Sequence, residues 1–251
     1  MSDGATMTAK DKFTPMAGKT NDPLKSLGRP RASYLVLLVV PALCLYGLTA
    51  DTVFVVTFMF AACWAIMAVG FDVFSGYSGR MNMGYAMFPG IAAFTSAVFN
   101  AKLGFPPVAA SAVGLLAALL LGVVIGVATL KIQGKYFALV TSIVPMAFFQ
   151  VVFIFSGVFG GEEGIYGVEP YFFDQKTDMI TVSAVLVVCA AFALWFSHSK
   201  AGLLLRAVKG GELTAKALGV NAFQILMTAF LLSALIGGIG GVYLAHFQMF
   251  I

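Results

Sequence analysis

Seven long stretches of this chain contain no Asp, Glu, Lys or Arg: 32–50, 52–71, 81–101, 103–130, 136–161, 179–199 and 217–251. Each holds about 19 residues or more, enough for a helix to cross a hydrocarbon layer roughly 30 Å thick. Lipid offers no partner to a free N–H or C=O, so a crossing segment is a helix or a strand of a closed barrel. Barrel strands alternate in polarity, whereas these runs are apolar throughout. Helices follow, expected over about 33–50, 52–71, 84–100, 107–130, 136–157, 179–196 and 225–246.

Composition agrees. Apolar residues make up 60% of the chain and charged ones 10%, where a soluble domain has about 25% charged. No single soluble core of this size hides so much apolar surface. The expected fold class is all-α, a polytopic transmembrane helical bundle set in membrane lipid, and soluble enzyme folds are excluded. The net charge of +4 comes with no basic stripe among exposed aromatics, so nucleic acid is not an expected partner. Cys44, Cys63 and Cys189 all lie in apolar runs without metal-ligand spacing, and read as small core residues rather than a disulfide frame.

Basic residues orient the bundle. Residues 1–31 form a polar tail with Lys10, Lys12, Lys19, Lys25, Arg29 and Arg31, and no short apolar core or cleavage site marks it as a signal peptide. With this tail inside, the inner connections add Arg80, Lys131, Lys135, Lys200, Arg206, Lys209 and Lys216, and the outer ones hold only Lys102 and Lys176. That is 13 against 2, so the tail is expected in the cytoplasm and residues 32–251 in the membrane domain. The chain ends on apolar Ile251 right after the seventh expected helix, which is expected of a piece of a longer protein.

Five segments stand out. In 75–90, SGYSGRMNMGYAMFPG, glycines and Pro89 interrupt an apolar region. Two readings stay open: a broken helix of the kind transporters place near membrane depth, with Asp72, Arg80 and Asn82 able to pair, or a tight inner turn. In 131–142, Thr141 and Ser142 enter the fifth run; they either bond back to their own helix or face a solute. In 157–170, GVFGGEEGIYGVEP, the adjacent Glu162 and Glu163 have no nucleophile, histidine or metal ligand beside them. That makes the segment a flexible outer loop or a docking surface rather than a catalytic one. In 198–224, Glu212 and Lys216 stand four apart in the order that favours a helix, and Gly219 supplies a stop. This predicts a short amphipathic helix on the cytoplasmic side, either lying at the interface or docking into another protein. Finally, Gly122 with Gly126, and Gly237 with Gly241, form small-residue faces for close helix packing.

Several chemistries are unsupported. Lys, Arg, Asp and Glu are missing from the depths of runs four to seven, which disfavours proton relays and voltage sensors. Gly18-Lys19-Thr20 looks like the end of a phosphate loop, but Phe13 stands where its first glycine is needed. The chain is expected to hold no ATP site, no metal, no cofactor and no catalytic residue. His198 and His246 lie at edges without an evident partner.

Taken together, three stretches resemble the LivM-type permeases of branched-chain amino acid ABC importers: GYSGRMNMGYAMFPGIAAFTSAV (76–98), GKYFALVTSIVPMAFFQVV (134–152) with GGEEGIYGV (160–168), and SKAGLLLRAVKGGELTAKALGVNAFQILMTAFLLSALIGGIGGVYLAH (199–246). The likeness runs from about residue 70 to 251. It implies that the inner loop is a coupling helix for ATP-binding subunits, carried by Gly211, Glu212, Ala215, Leu218 and Gly219. It implies a substrate pathway near Gly76, Gly79, Asn82, Gly84 and Thr141, and a soluble binding protein docking at Glu162 and Glu163. Its partners would be a second homologous permease, two ATP-binding subunits and that periplasmic or extracellular binding protein, in a bacterial inner membrane. Where relatives commonly have Gln-Leu-Ser-Leu-Gly and then His, this chain has Arg80-Met81-Asn82-Met83-Gly84 and then Tyr85. Arg80 is expected to place an extra cation near the pathway and shift substrate preference. The alternative reading is a stand-alone secondary carrier or channel for a small solute.

Overall fold

The computed structural model describes residues 30–132 and 134–251, so the basic tail and the Gly18-Lys19-Thr20 segment lie outside the described residues. Among the described residues ten α-helices follow in order: α1 (Pro30–Gly47), α2 (Thr52–Ser78), α3 (Met87–Ala97), α4 (Pro107–Thr129), α5 (Lys135–Ile154), α6 (Ser156–Phe159), α7 (Gln175–His198), α8 (Lys200–Gly210), α9 (Glu212–Ala217) and α10 (Ala222–Gln248). The bundle is all-α and polytopic, as the unbroken apolar runs require.

Among the described residues five helices are long and apolar enough to cross a membrane: Thr52–Ser78, Pro107–Thr129, Tyr136–Ile154, Gln175–His198 and Ala222–Gln248. The other two expected crossings are built differently. In α1 the apolar part described is the shorter Leu37–Gly47. The third crossing is broken: α2 ends at Gly79, left-handed at φ 70°, an extended leg and a turn follow, and helix begins only at Met87. A π-helical turn, Val98–Lys102, extends α3 to the far side. Together they span roughly 24 Å at 1.5 Å per residue, short of a full crossing. The open choice between broken helix and tight turn is thus decided for the broken helix.

Local chemistry sets the helix ends. Asp174 caps α7 by accepting from the Thr177 amide at 3.1 Å, Ser199 caps α8 through the Gly202 amide at 3.3 Å, and Asn221 caps α10 through Gln224 at 3.2 Å.

Helix α10 is the centre. It packs against α2 on one side and α3 with α4 on the other; α7 lies behind α2, and α1 behind α7. Glycines allow this closeness. A Cβ on Gly241 would strike the backbone of Pro89, and one on Gly237 the ring of Tyr85. Gly122 and Gly126 of α4 accept Leu231, Met227 and Phe230 of α10. Phe230 then sits edge-on to Phe74 at 5.1 Å and to Phe88 at 5.2 Å, joining α2, α3 and α10 in one aromatic cluster. Helix α5 is peripheral: it touches α3 and α4 and leaves Leu139, Ile143, Met146 and Ile154 exposed.

The two ends of the bundle segregate the connections as the basic residues predict. Arg80, the turn at 130–132 and Glu212 meet at one end. At the other, Lys102 donates to the carbonyls of Gly157 and Val158, and Lys176 to that of Leu48.

Candidate coupling site and broken crossing

The inner loop forms two helices where one was expected. Gly211 separates α8 from α9, and Gly219, at φ 83°, ends the second helix in the left-handed region open to glycine. The residues expected to face ATP-binding subunits divide between two faces. Ala215 is buried, and Glu212 turns inward. Leu213 and Leu218 are 77% and 80% exposed. The face open to a partner is therefore built from Leu213, Leu218 and Gly219, with Glu212 and Ala215 on the attached side.

Glu212 is held from two directions. Lys216 Nζ lies 2.9 Å from Oε1, the expected pair one turn on, and Arg80 Nη2 donates to Oε2 at 2.5 Å. Arg80 Nη1 donates to the carbonyls of Leu130 at 2.8 Å and Ile132 at 3.1 Å, capping the end of α4. This corrects the expectation for Arg80. It does not pair with Asp72 but is buried where the end of α4 meets α9, with its charge satisfied by Glu212. Spacing along the sequence could not show this, because the partner lies 132 positions away.

Desolvation works to raise the Glu212 carboxyl, but the Lys216 ammonium and the Arg80 guanidinium outweigh it and hold the group below the usual glutamate range. A folded pKa below the unfolded one contributes stability above the unfolded value and loses it as pH falls through the folded value. Protection of the 212–217 amides against hydrogen exchange, corrected for intrinsic rates, should therefore stay level from neutral pH down to the ordinary glutamate range and fall progressively below it, until pH has passed the lowered folded value. Protection that is unchanged into strong acid would contradict the pairing.

Of the residues expected along a pathway, Gly76 and Gly79 sit at the Arg80 end of the bundle, against Asp72 and the Lys209 stem. Gly84 abuts the carbonyl of Thr141, so the two pack directly on each other. The Thr141 hydroxyl donates to Phe137 O at 2.9 Å, bonding back to its own helix. Asn82 is buried; its Oδ1 accepts from the Gly84 amide at 3.1 Å, and its Nδ2 has no partner among the described residues. An orphaned donor at this depth is costly. Near the break, Trp64, Met67, Tyr85, Pro89, Gly241 and Leu244 contribute to the wall of a mostly apolar cavity of about 270 Å³. None of the five expected residues lines it.

Glu162 and Glu163 are exposed, at the end of the bundle opposite Arg80. The loop beside them is not free. Ile165 pairs with Ile251 through two backbone bonds of 2.7 and 3.1 Å. Asn100 Oδ1 accepts from the Glu169 amide at 2.7 Å. His246, which the sequence left without a partner, is fully buried: Nδ1 donates to Glu169 O at 2.6 Å, and Nε2 accepts from Ser96 at 2.8 Å. Asn100 and His246 were missed because both sit in apolar runs with no local motif. Among the described residues no His, Cys, Asp and Glu group has metal-site geometry.

The family model that describes the permease component of branched-chain amino acid transport systems matches residues 53–250. The high-affinity branched-chain amino acid transport system permease protein LivM of Escherichia coli (strain K12) is 28% identical over 75% of this chain and 51% of its own length. The protein of the same name from Salmonella typhimurium is 26% identical, with the same shares covered. The guanosine ABC transporter permease protein NupQ of Bacillus subtilis (strain 168) is 26% identical over 74% of this chain and 64% of its own. The chain thus spans about half the length of the LivM proteins it matches. No solved structure matches it.

Proposed function

This chain belongs to the family of permease components of branched-chain amino acid transport systems, and from that premise we propose that it is a membrane permease subunit of an ATP-driven ABC importer. Its work is to form part of a translocation pathway and to couple that pathway to ATP hydrolysis elsewhere, with no catalytic step of its own. The carrying observation is α9: one face is bolted to the bundle through Glu212 and Ala215, and the other presents Leu213 and Leu218. Exposed leucines on a short polar connection favour a protein partner. We assign that face, with Gly211 and Gly219 as its ends, to two ATP-binding subunits.

The solute is a branched-chain amino acid or a related small amide or carboxylate. The apolar cavity beside Tyr85 and Pro89 suits an aliphatic side chain. Asn82, with its free donor, suits a polar group passing the break, with Gly76, Gly79, Gly84 and Thr141 shaping that segment. A second homologous permease completes the path, and a soluble binding protein delivers solute at Glu162 and Glu163. The 1–31 tail then lies in the cytoplasm and residues 32–251 form one permease domain in the bacterial inner membrane, a reading that the distribution of basic residues supports.

The test is a mild-detergent pull-down of the tagged chain from its native membrane, assayed for ATPase. We expect ATPase in the eluate, reduced at least tenfold by Leu213→Asp with Leu218→Asp while membrane insertion is unchanged. A well-folded chain that comes down alone, with uptake insensitive to ATP depletion, would point instead to a secondary carrier or channel.

A further inference from the structure

Arg80 stands at the start of the extended leg that leads from α2 into α3, directly after the left-handed Gly79. Its guanidinium touches three separate parts of the inner end. It caps the end of α4 at Leu130 and Ile132, lies 5.9 Å from the Phe137 ring centre in α5, and pairs with Glu212 of α9. Its side chain is 9% exposed, against 49% for Lys216 on the other side of the same carboxylate. Arg80 is therefore the buried partner and Lys216 the surface one.

Helix α9 has six residues, too few to be stable without tertiary contacts. It packs on α8 and α10, its neighbours in sequence, and its ionic link to the distant start of the third crossing is the Arg80–Glu212 pair. A second thread runs alongside, from Lys209 Nζ to the Gly76 carbonyl at 2.8 Å. Gly76 and Gly79 on that stretch provide joints at the end of α2.

We propose that Arg80 is the positioning residue through which displacement of α9 reaches the broken third crossing. This rests on the reading of α9 as the docking helix. A partner that moves α9 moves Glu212. Losing Glu212 would strand a buried cation, so Arg80 follows, and with it the leg that carries Asn82 and Gly84. Arg80 then acts on the solute only through the backbone it carries.

Two measurements test this. The first needs no partner. The native cysteines are buried, so Ala215→Cys, at a position 3% exposed on the attached face of α9, reports detachment through its labelling by a membrane-impermeant maleimide in inside-out vesicles. Adding Arg80→Gln should raise the labelling rate at least fivefold, and Arg80→Lys much less. Equal labelling rates with and without Arg80→Gln would overturn the strut.

The second uses the chain co-expressed with its partner permease, ATP-binding subunits and binding protein, and reads radiolabelled leucine taken up per ATP hydrolysed. Arg80→Gln should lower that ratio at least tenfold, where simple loss of folded protein would lower both quantities together. Arg80→Lys, which keeps a cation beside Glu212 and a donor for the α4 carbonyls, should retain at least a third of it. A ratio within twofold of the parent in Arg80→Gln would overturn the coupling role. If the parent chain brings down no ATPase, the importer reading itself fails, and the labelling experiment still decides whether Arg80 holds α9.

Discussion

A chain carrying Gly241→Val is expected to reach the membrane and fail to close its bundle there. Helix α10 meets α2, α3 and α4 at once, and Gly241 is where it meets the start of α3. The atoms an added Cβ would strike are the oxygen, Cα and carbonyl carbon of Pro89. Backbone cannot rotate away as a side-chain end can. Pro89 is further fixed by its own ring and by the turn before it, where the Tyr85 hydroxyl donates to Met67 O at 2.6 Å. Relief requires α10 and α3 to separate, which opens the Phe74, Phe88 and Phe230 cluster below. The expected cost is at the top of the overpacking range, about 3 kcal/mol, or a melting point lower by roughly 10 °C in detergent. Gly122→Ala is the control. Its nearest neighbour is a Leu231 methyl at 3.1 Å, the movable end of a side chain, and its cost should stay within about 1 kcal/mol. Equal melting of the two variants would refute this account of the α10 seam.

His246→Ala should free the outer loop from the bundle. The imidazole is the shared partner of Ser96 on α3 and of the Glu169 carbonyl, with Tyr171 packed on its face at a ring distance of 4.7 Å. Truncation leaves a buried hydroxyl and a carbonyl without that partner, and a cavity beside Tyr171. Such losses cost about 2–4 kcal/mol in combination. The rest of the loop is held by Asn100 and the Ile165–Ile251 bonds, so the effect should be local. The measurement is maleimide labelling of Val168→Cys, a position 2% exposed. Labelling should be slow with His246 and at least tenfold faster with alanine. His246→Gln, which keeps both a donor and an acceptor, should recover part of the protection. Unchanged labelling in His246→Ala would show that the loop is held without the histidine.

The expectation that Asp72, Arg80 and Asn82 pair with one another illustrates what a linear reading misses. The three are close in sequence, yet Arg80 takes its partners from α4 and α9, and Asn82 uses its oxygen on the Gly84 amide two residues on. The inner loop shows the converse. Glu212 with Lys216 and the stop at Gly219 are local devices, legible in the residues themselves; the caps at Ser199 and Asn221 are equally local but came only from the structure. What the periodicity of 198–224 did not show was the break at Gly211 and which face of α9 turns inward. The inward face depends on where Arg80 arrives.

Membrane crossing is a local constraint, and so it was decided by sequence alone. A run long enough and free of charge must satisfy its backbone internally, whatever its neighbours are. The helices, their approximate ends, and the grouping of connections at two ends follow from that rule and from the placement of lysine and arginine. The partners of Arg80 and His246, the seat of α10 against Pro89 and the orphaned amide of Asn82 were decided only by tertiary structure. Lipid is as apolar as the helix faces it surrounds, so hydrophobicity does not choose which faces meet. Close contact at glycines and the need to pair buried polar groups make that choice, and both act between residues far apart in the chain.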